Sequence, residues 1–228
     1  MRALGRLALL LAVACVPSAA AAQVYIGPAA PHRGSIEVGG GVTFVPGFDM
    51  GSRTADLTTS SPTTRYDLFT TDSSVGDFTG LQARVGYYFS RAISLEAFVR
   101  YAQPELSVAL SGDAESAADV TATETASHYV FGGSLNFDFR GASFAGDRGV
   151  PFVSGGAGYL RELHEGNMLV ETGVEYHATA GLKYWLGSGA HRFGLRFEAG
   201  LSAREGGLDN EDTRRVQPMV AAGLSYLF

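Results

Sequence analysis

The sequence predicts an all-β chain closed into an eight-stranded antiparallel up-and-down transmembrane barrel. Three observations predict it. The chain closes on an alternating strand, it opens on an export leader with no later apolar run, and its predicted turns alternate between compact and loose. The closing stretch runs from Pro218 to Phe228. Phe228, Tyr226, Leu224, Ala222, Val220 and Pro218 fall on one face, with Leu227, Ser225, Gly223, Ala221 and Met219 on the other. A period of two is the strand period. The stretch is as long as the ~9–11 residues that a tilted membrane strand needs.

Residues 1–22 read as a secretory signal peptide. Arg2 and Arg6 form a positive start, Leu7 to Val16 an apolar centre, and Ala20-Ala21-Ala22 a small-residue cleavage site before Gln23. An uncleaved anchor, or lipidation at Cys15, are the alternatives; Cys15 is the only cysteine and lies inside this leader. No later segment approaches the ~18 apolar residues of a membrane helix. An exported chain without a helical anchor is periplasmic, secreted or a membrane barrel. Near-neutral mean hydropathy with 30 glycines and 11% aromatic residues suits a barrel with one wet face. The formal net charge is -6 and no basic run is present, which argues against nucleic acid as a partner. No cofactor is expected.

The strands follow in order after a Pro/Gly-bearing lead-in over residues 23–34, and the barrel is expected over 35–228. The first strand spans 35–46, with Ile36, Val38, Val42 and Phe44 on one face and Glu37 and Thr43 on the other. A long polar insert over 47–76 is expected as loop. The second strand, 77–89, sets Leu81, Val85 and Tyr87 against Gln82 and Arg84. After a tight turn at 90–92, the third strand, from 93 to at least 101, sets Leu95 and Val99 against Glu96 and Arg100. It has a possible continuation over 106–110 beyond a break at Pro104. A small acidic tip covers 111–120. The fourth strand, 121–139, sets Phe131, Leu135 and Phe137 against Asn136 and Asp138. Strands over 150–163, 168–186, 192–203 and 218–228 complete the eight. Gly166-Asn167 and Gly187-Ser188-Gly189 mark reversals. Three connections are compact (90–92, 140–149, 187–191) and four are looser (47–76, 102–120, 164–167, 204–212), the rhythm of short turns on one side and longer loops on the other. An even strand count places both ends on the side of the short turns.

Phe228, Tyr226, Leu224 and Ala222 make the ending resemble the last strand of Gram-negative outer-membrane barrels. The run P-F-V-S-G-G-A-G-Y-L at 151–160 resembles the glycine-rich strand of small OmpA-like barrels. Together these ally residues 35–228 with OmpA-like and opacity-type surface proteins. The resemblance implies an outer-membrane location with both termini periplasmic. It implies that Leu224, Tyr226 and Phe228 form the signal read by the outer-membrane assembly machinery. It also implies contact with outer-membrane lipid and lipopolysaccharide, and surface or host ligands engaged through the long loops. A barrel without the family's peptidoglycan-binding module is expected. Tyr87, Phe89, Phe137, Phe139, Tyr184 and Tyr226 are expected as a periplasmic aromatic girdle.

The inward face collects opposite charges: Glu37, Arg84, Glu96, Arg100, Asp138, Glu171, Glu175, Lys183, Arg196 and Glu198. Eight strands enclose an interior that side chains nearly fill, and buried charges must pair or be wetted. A polar network that closes the lumen is therefore expected, with a structural or surface role for the protein. A narrow ion-conducting channel, opened when pairs exchange, is the rival. A lipid A-modifying enzyme is the third reading. Its nearest match, His177-Ala178-Thr179 beside Glu175, has Thr where that chemistry uses Ser, and His177 faces the lumen in this register. His128, His164 and His191 show no metal-ligand spacing. The acidic loop 209–212 is a solvated loop before it is a cation site. A soluble lipocalin-like barrel with the faces reversed shares the alternation. The leader, the terminal Phe and the loop asymmetry weigh against it.

Overall fold

A computed structural model describes residues 31–60, 63–115, 117–164, 169–186, 192–207 and 214–228. The strands are β1 (Ile36–Val45), β2 (Phe48–Ser60), β3 (Thr63–Val75), β4 (Phe78–Tyr88), β5 (Ile93–Ala102) and β6 (Glu105–Ser111). They continue as β7 (Val120–Thr125), β8 (Ser127–Asp138), β9 (Gly149–Leu163), β10 (Val170–Leu186), β11 (Arg192–Gly206) and β12 (Arg215–Leu227). Eight of them close an antiparallel barrel in the order β1-β12-β11-β10-β9-β8-β5-β4. The ring shuts where β1 pairs with β12, from Glu37 opposite Leu227 to Phe44 opposite Val220. The leader, the reversals at 166–167 and 187–189, His191 and the loop at 209–212 lie outside the described residues.

The outward faces are those read from the sequence. Leu81, Val85, Leu95, Leu135, Phe197, Leu201 and Leu224 are exposed, while Glu37, Arg84, Glu96, Lys183 and Arg196 are buried. Apolar residues outside and charges inside are what a barrel in hydrocarbon requires, since the backbone is satisfied by the closed ring and the outer wall meets lipid. The soluble alternative, with apolar residues inward, does not describe this ring.

The segment expected as loop at 47–76 is largely strand, whereas the continuation expected over 106–110 beyond Pro104 is present as β6. β2, β3, β6 and β7 form a four-stranded sheet in the order β2-β3-β6-β7. These strands prolong β1, β4, β5 and β8 past one rim, so half of the wall stands tall and the half built from β9–β12 stays low. At thirteen residues each, β2 and β3 reach ~40 Å when extended. Their Thr, Val, Phe and Tyr content favours strand. A bulge falls at Met50, between the pairs Asp49–Ser74 and Gly51–Ser73, and Gly51 takes the positive φ of 101° there. The predicted fourth strand is interrupted at Ala126, which donates its N–H to the Pro104 carbonyl at 3.0 Å.

Lumen-facing glycines leave room for large side chains. A Cβ on Gly39 would lie 2.7 Å from Arg84 Nε, on Gly181 2.7 Å from the Phe152 ring, on Gly194 2.7 Å from Trp185 and on Gly156 2.8 Å from His177. The outward Gly155, one residue from Gly156, would meet nothing nearer than a carbonyl at 3.8 Å. Glycine thus serves here as empty volume in a narrow ring.

Candidate functional site in the barrel lumen

The lumen is stratified. Nearest the short-turn rim, Tyr88, Val150, Trp185 and Leu227 form a buried apolar layer, with the Arg192 guanidinium 5.0 Å from the Trp185 ring. Above it, Lys183 lies 3.0 Å from Glu37 and 3.4 Å from Asp138. Its ammonium donates to the Tyr88 hydroxyl at 2.8 Å, and that hydroxyl donates to Glu37 at 2.7 Å. Arg140 reaches Asp138 from the rim at 2.9 Å. Because β1, β4, β8 and β10 each supply one member, the tier ties four strands across the ring.

Arg196 of β11 anchors the middle tier. It pairs with Glu96 at 2.7 Å and Glu198 at 3.0 Å, and donates to Asn136 at 3.3 Å. Arg84 lies 4.0 Å from Glu96 and donates to Ser225 at 3.2 Å. The Phe152 ring lies 4.5 Å from the Arg196 guanidinium, a cation–π contact. In the upper tier Arg100 pairs with Glu175 at 2.7 Å, Arg204 stands 3.9 Å from Glu175 and 3.7 Å from Glu162, and His128 meets Glu162 at 2.8 Å. A second apolar layer tops the stack: Val45, Val75, Phe78, Ala102 and Met219, with Phe48, Met50 and Leu106 packed on it. The tall sheet contributes part of this layer from β2, β3 and β6.

Six buried cations (Arg84, Arg100, Lys183, Arg192, Arg196, Arg204) face six carboxylates (Glu37, Glu96, Asp138, Glu162, Glu175, Glu198). The balance lets every charge be answered, as burial demands. Between the middle and upper tiers lies a cavity of about 20 Å³, bordered by Arg84, Arg100, Ser134, His177 and Glu198. That is room for one water.

Nine of the ten residues assigned to the inward network are in it. Glu171 is not. It sits at the outer end of β10, where His164 Nε2 is 3.7 Å from its carboxylate and His164 Nδ1 is 3.1 Å from Glu124. Glu171 shares the parity of Glu175 but lies four residues further out, beyond the ring's closed section. Burial pushes its carboxyl above the ordinary value, against the pull of His164 and with the help of Glu162. The assigned network left out Tyr88, His128, Glu162, Arg192 and Arg204, of which Tyr88 and His128 lie on the inward alternation of the second and fourth expected strands. Tyr88 shares the parity of Arg84, Glu162 that of Gly158 and Leu160, and Arg204 that of Ser202. Extending each alternation to its strand end finds them.

His177 faces inward, its ring 5.1 Å from Phe98 in an edge contact. Among the described residues no group of three or more His, Cys, Asp or Glu side chains is placed to hold a metal ion. At the short-turn rim, ring contacts join Tyr87 to Phe89, Phe137 to Phe139, and Tyr226 to both Phe193 and Phe228. Leu224 and Phe228 are exposed at 60% and 54%. The Phe228 N–H donates to Ile36 O at 2.8 Å, which continues the β1–β12 closure to the last residue.

Neither a protein-family model nor a curated protein matches the chain. Among solved structures it is similar to the outer membrane protein OprG from Pseudomonas aeruginosa. The identity is 14% and the TM-score 0.51, with 86% of this chain and 97% of that chain covered. The outer membrane protein AlkL, solved by solid-state NMR in lipid bilayers, matches at 19% identity and a TM-score of 0.40, covering 91% of this chain and 97% of that chain. At such identity the likeness to OprG is one of fold. Closed antiparallel ring, apolar outer wall and this likeness agree: the chain has the fold of a small eight-stranded outer-membrane β-barrel.

Proposed function

We propose that the chain is an integral outer-membrane protein of a Gram-negative bacterium, with a closed lumen and a structural or surface-interaction role rather than an enzymatic one. The short-turn rim with both described termini faces the periplasm, and the tall sheet faces outward. One observation carries the closed lumen. Three tiers of paired charges lie between two apolar layers, and the cavity among them is only about 20 Å³. An ion entering such a path would have to part buried pairs without the water that solvates it elsewhere. The narrower kinship with OmpA-like and opacity-type proteins rests on the closing strand and the glycine-rich β9. In that reading Leu224, Tyr226 and Phe228 are the residues offered to the assembly machinery.

The test has two steps. Migration on a detergent gel with and without boiling establishes a resistant barrel in the outer-membrane fraction. Conductance of the refolded protein in a planar bilayer then addresses the lumen. Silence is expected; discrete openings at modest voltage would replace the closed lumen with a narrow channel. One feature favours that second reading. Arg196 and Arg84 both approach Glu96, at 2.7 and 4.0 Å, so the carboxylate has two cations between which to exchange.

A further inference from the structure

Among the described residues the rim opposite the tall sheet is basic: Arg33, Arg91 and Arg140 lie under the β1–β8 half of the wall, and Arg148 and Arg192 under the other half. Arg91 occupies the tip of the β4–β5 turn. That turn is held by Ser90 Oγ, which accepts from the N–H groups of Ala92 and Ile93 at 3.2 and 3.1 Å. Arg140 donates from Nε to the Arg91 carbonyl at 3.1 Å while its Nη2 is fixed on Asp138. Arg33 is brought alongside because Gly34 donates its N–H to Tyr88 O at 2.9 Å, at the end of β4. Arg33 and Arg91 are exposed. Asp147 is the one exposed side-chain carboxylate of this rim among the described residues, and it accepts from Ser143. Immediately below the arginines, Phe89 and Phe139 are exposed on the outer wall.

Resting on the membrane reading above, we infer that Arg33, Arg91 and Arg140 form a site for the phosphodiester headgroup of an anionic phospholipid in the periplasmic leaflet. The depth selects the ligand. Aromatic rings lie at the edge of the hydrocarbon, so the group that meets guanidinium one step further out is a lipid phosphate. Guanidinium matches phosphate with two parallel N–H donors. Arg140 does the positioning: anchored on Asp138 and on the turn backbone, it holds the Arg91 turn against the β8 end. The net charge supplies selectivity, since a zwitterionic headgroup gains less from a basic rim than an anionic one.

The experiment is native mass spectrometry of the full mature chain, refolded in detergent and offered equal phosphatidylglycerol and phosphatidylethanolamine. Preferential retention of phosphatidylglycerol is expected. The double variant Arg33→Gln/Arg91→Gln should lose that preference by about fivefold per arginine. Arg161→Gln/Arg214→Gln, which removes the same charge at the opposite end, should keep it. Equal retention of the two lipids by the parent protein overturns the site. So does equal loss in both double variants, which would mean that net charge alone is being read. The heat-dependent gel shift is scored on each sample. A shifted parent band with equal lipid retention removes only this inference, whereas an unshifted, soluble parent removes the membrane reading with it.

Discussion

The barrel wall and the sheet above it are built from the same run of chain, yet their faces are inverted. In β1, β4, β5 and β8 the outward residues are Val42, Phe44, Leu81, Val85 and Val99, and the inward ones are Glu37, Arg84, Glu96 and Arg100. Across the junctions near 46–47, 76–77, 103–104 and 126 the strands continue, but the outward face becomes Asp49, Ser52, Asp72, Ser107 and Thr121. The inward face becomes Val75, Leu106, Val108 and Leu110. Strand parity is kept from β5 to β6 and from β7 to β8, and shifts by one residue at the Pro46-Gly47 and Gly76-Asp77 junctions, where Val45 and Phe48, and Val75 and Phe78, all face inward; polarity switches at all four. The apolar outer face of the ring suits hydrocarbon and the polar outer face of the sheet suits water, so one chain is fitted to two surroundings. An inward apolar face is then free to close over the lumen, and Val75, Phe48 and Leu106 do so.

The sharpest way to break this comparison is to remove the cation of the lowest charged tier. Lys183→Met leaves Glu37 buried without its paired cation, and Asp138 with only Arg140 at the rim. The expected destabilisation is about 3–5 kcal/mol, read from urea unfolding in micelles by the fluorescence of Trp185, the single tryptophan. Adding Glu37→Gln should return part of that loss. No recovery would mean that the tier is not a coupled unit. A charge on the outer wall comes next. Val85→Arg should cost ~2–4 kcal/mol if that face lies in hydrocarbon, while Leu57→Arg on the tall sheet should stay within about 0.5 kcal/mol. Equal costs would erase the distinction between the two regions.

A smaller effect separates neighbouring glycines. Gly156→Ala pushes a methyl against the Gly133 carbonyl as well as Ser134 and His177 and should cost about 1–3 kcal/mol, whereas Gly155→Ala, facing outward, should stay within about 0.5 kcal/mol. The same unfolding assay compares them. Smallest is the rim. The Glu171 carboxyl is raised in the folded state, so its contribution is fully present below the unfolded carboxylate range. It is lost as pH rises through the raised value. The adjoining ends of β9 and β10, at Leu163 and Val170, should exchange amide hydrogens slightly faster at neutral pH than at pH 4 after correction for intrinsic rates. Glu171→Gln should flatten that difference; an unchanged pH slope would show that Glu171 does not govern these ends.

The ring was legible because lipid enforces alternation. From Phe228 back to Pro218 and from Leu186 back to Val170, each outward residue had to be apolar or small, so the faces and most inward charges could be read by counting. The tall sheet was not legible by the same rule. In T-T-R-Y-D-L-F-T-T-D-S-S-V both faces of β3 carry hydroxyls, because one meets water and the other is only half covered. The hydrophobic period therefore vanishes while the β-branched content remains. Glu162 and Arg204 were missed for a different reason. Both sit at the outer ends of long strands, where the assumed boundaries stopped too early or no inward face had been assigned. What joins the tiers, such as Arg100 with Glu175, depends on which strands face one another across the ring, and only the closed register supplies that.

The junction of β1 with β12 is the one place in the ring where neighbouring strands are not consecutive along the barrel's path. It is therefore the one place where the ring opens without undoing a hairpin. All four strands that rise above the ring belong to the chain between β1 and β8, and they carry ten carboxylates against two arginines over residues 46–77 and 103–127. The pairs from Phe44 with Val220 to Glu37 with Leu227 are therefore a seam: they stitch the acidic, tall first half of the chain to the low second half with backbone hydrogen bonds and no connecting loop.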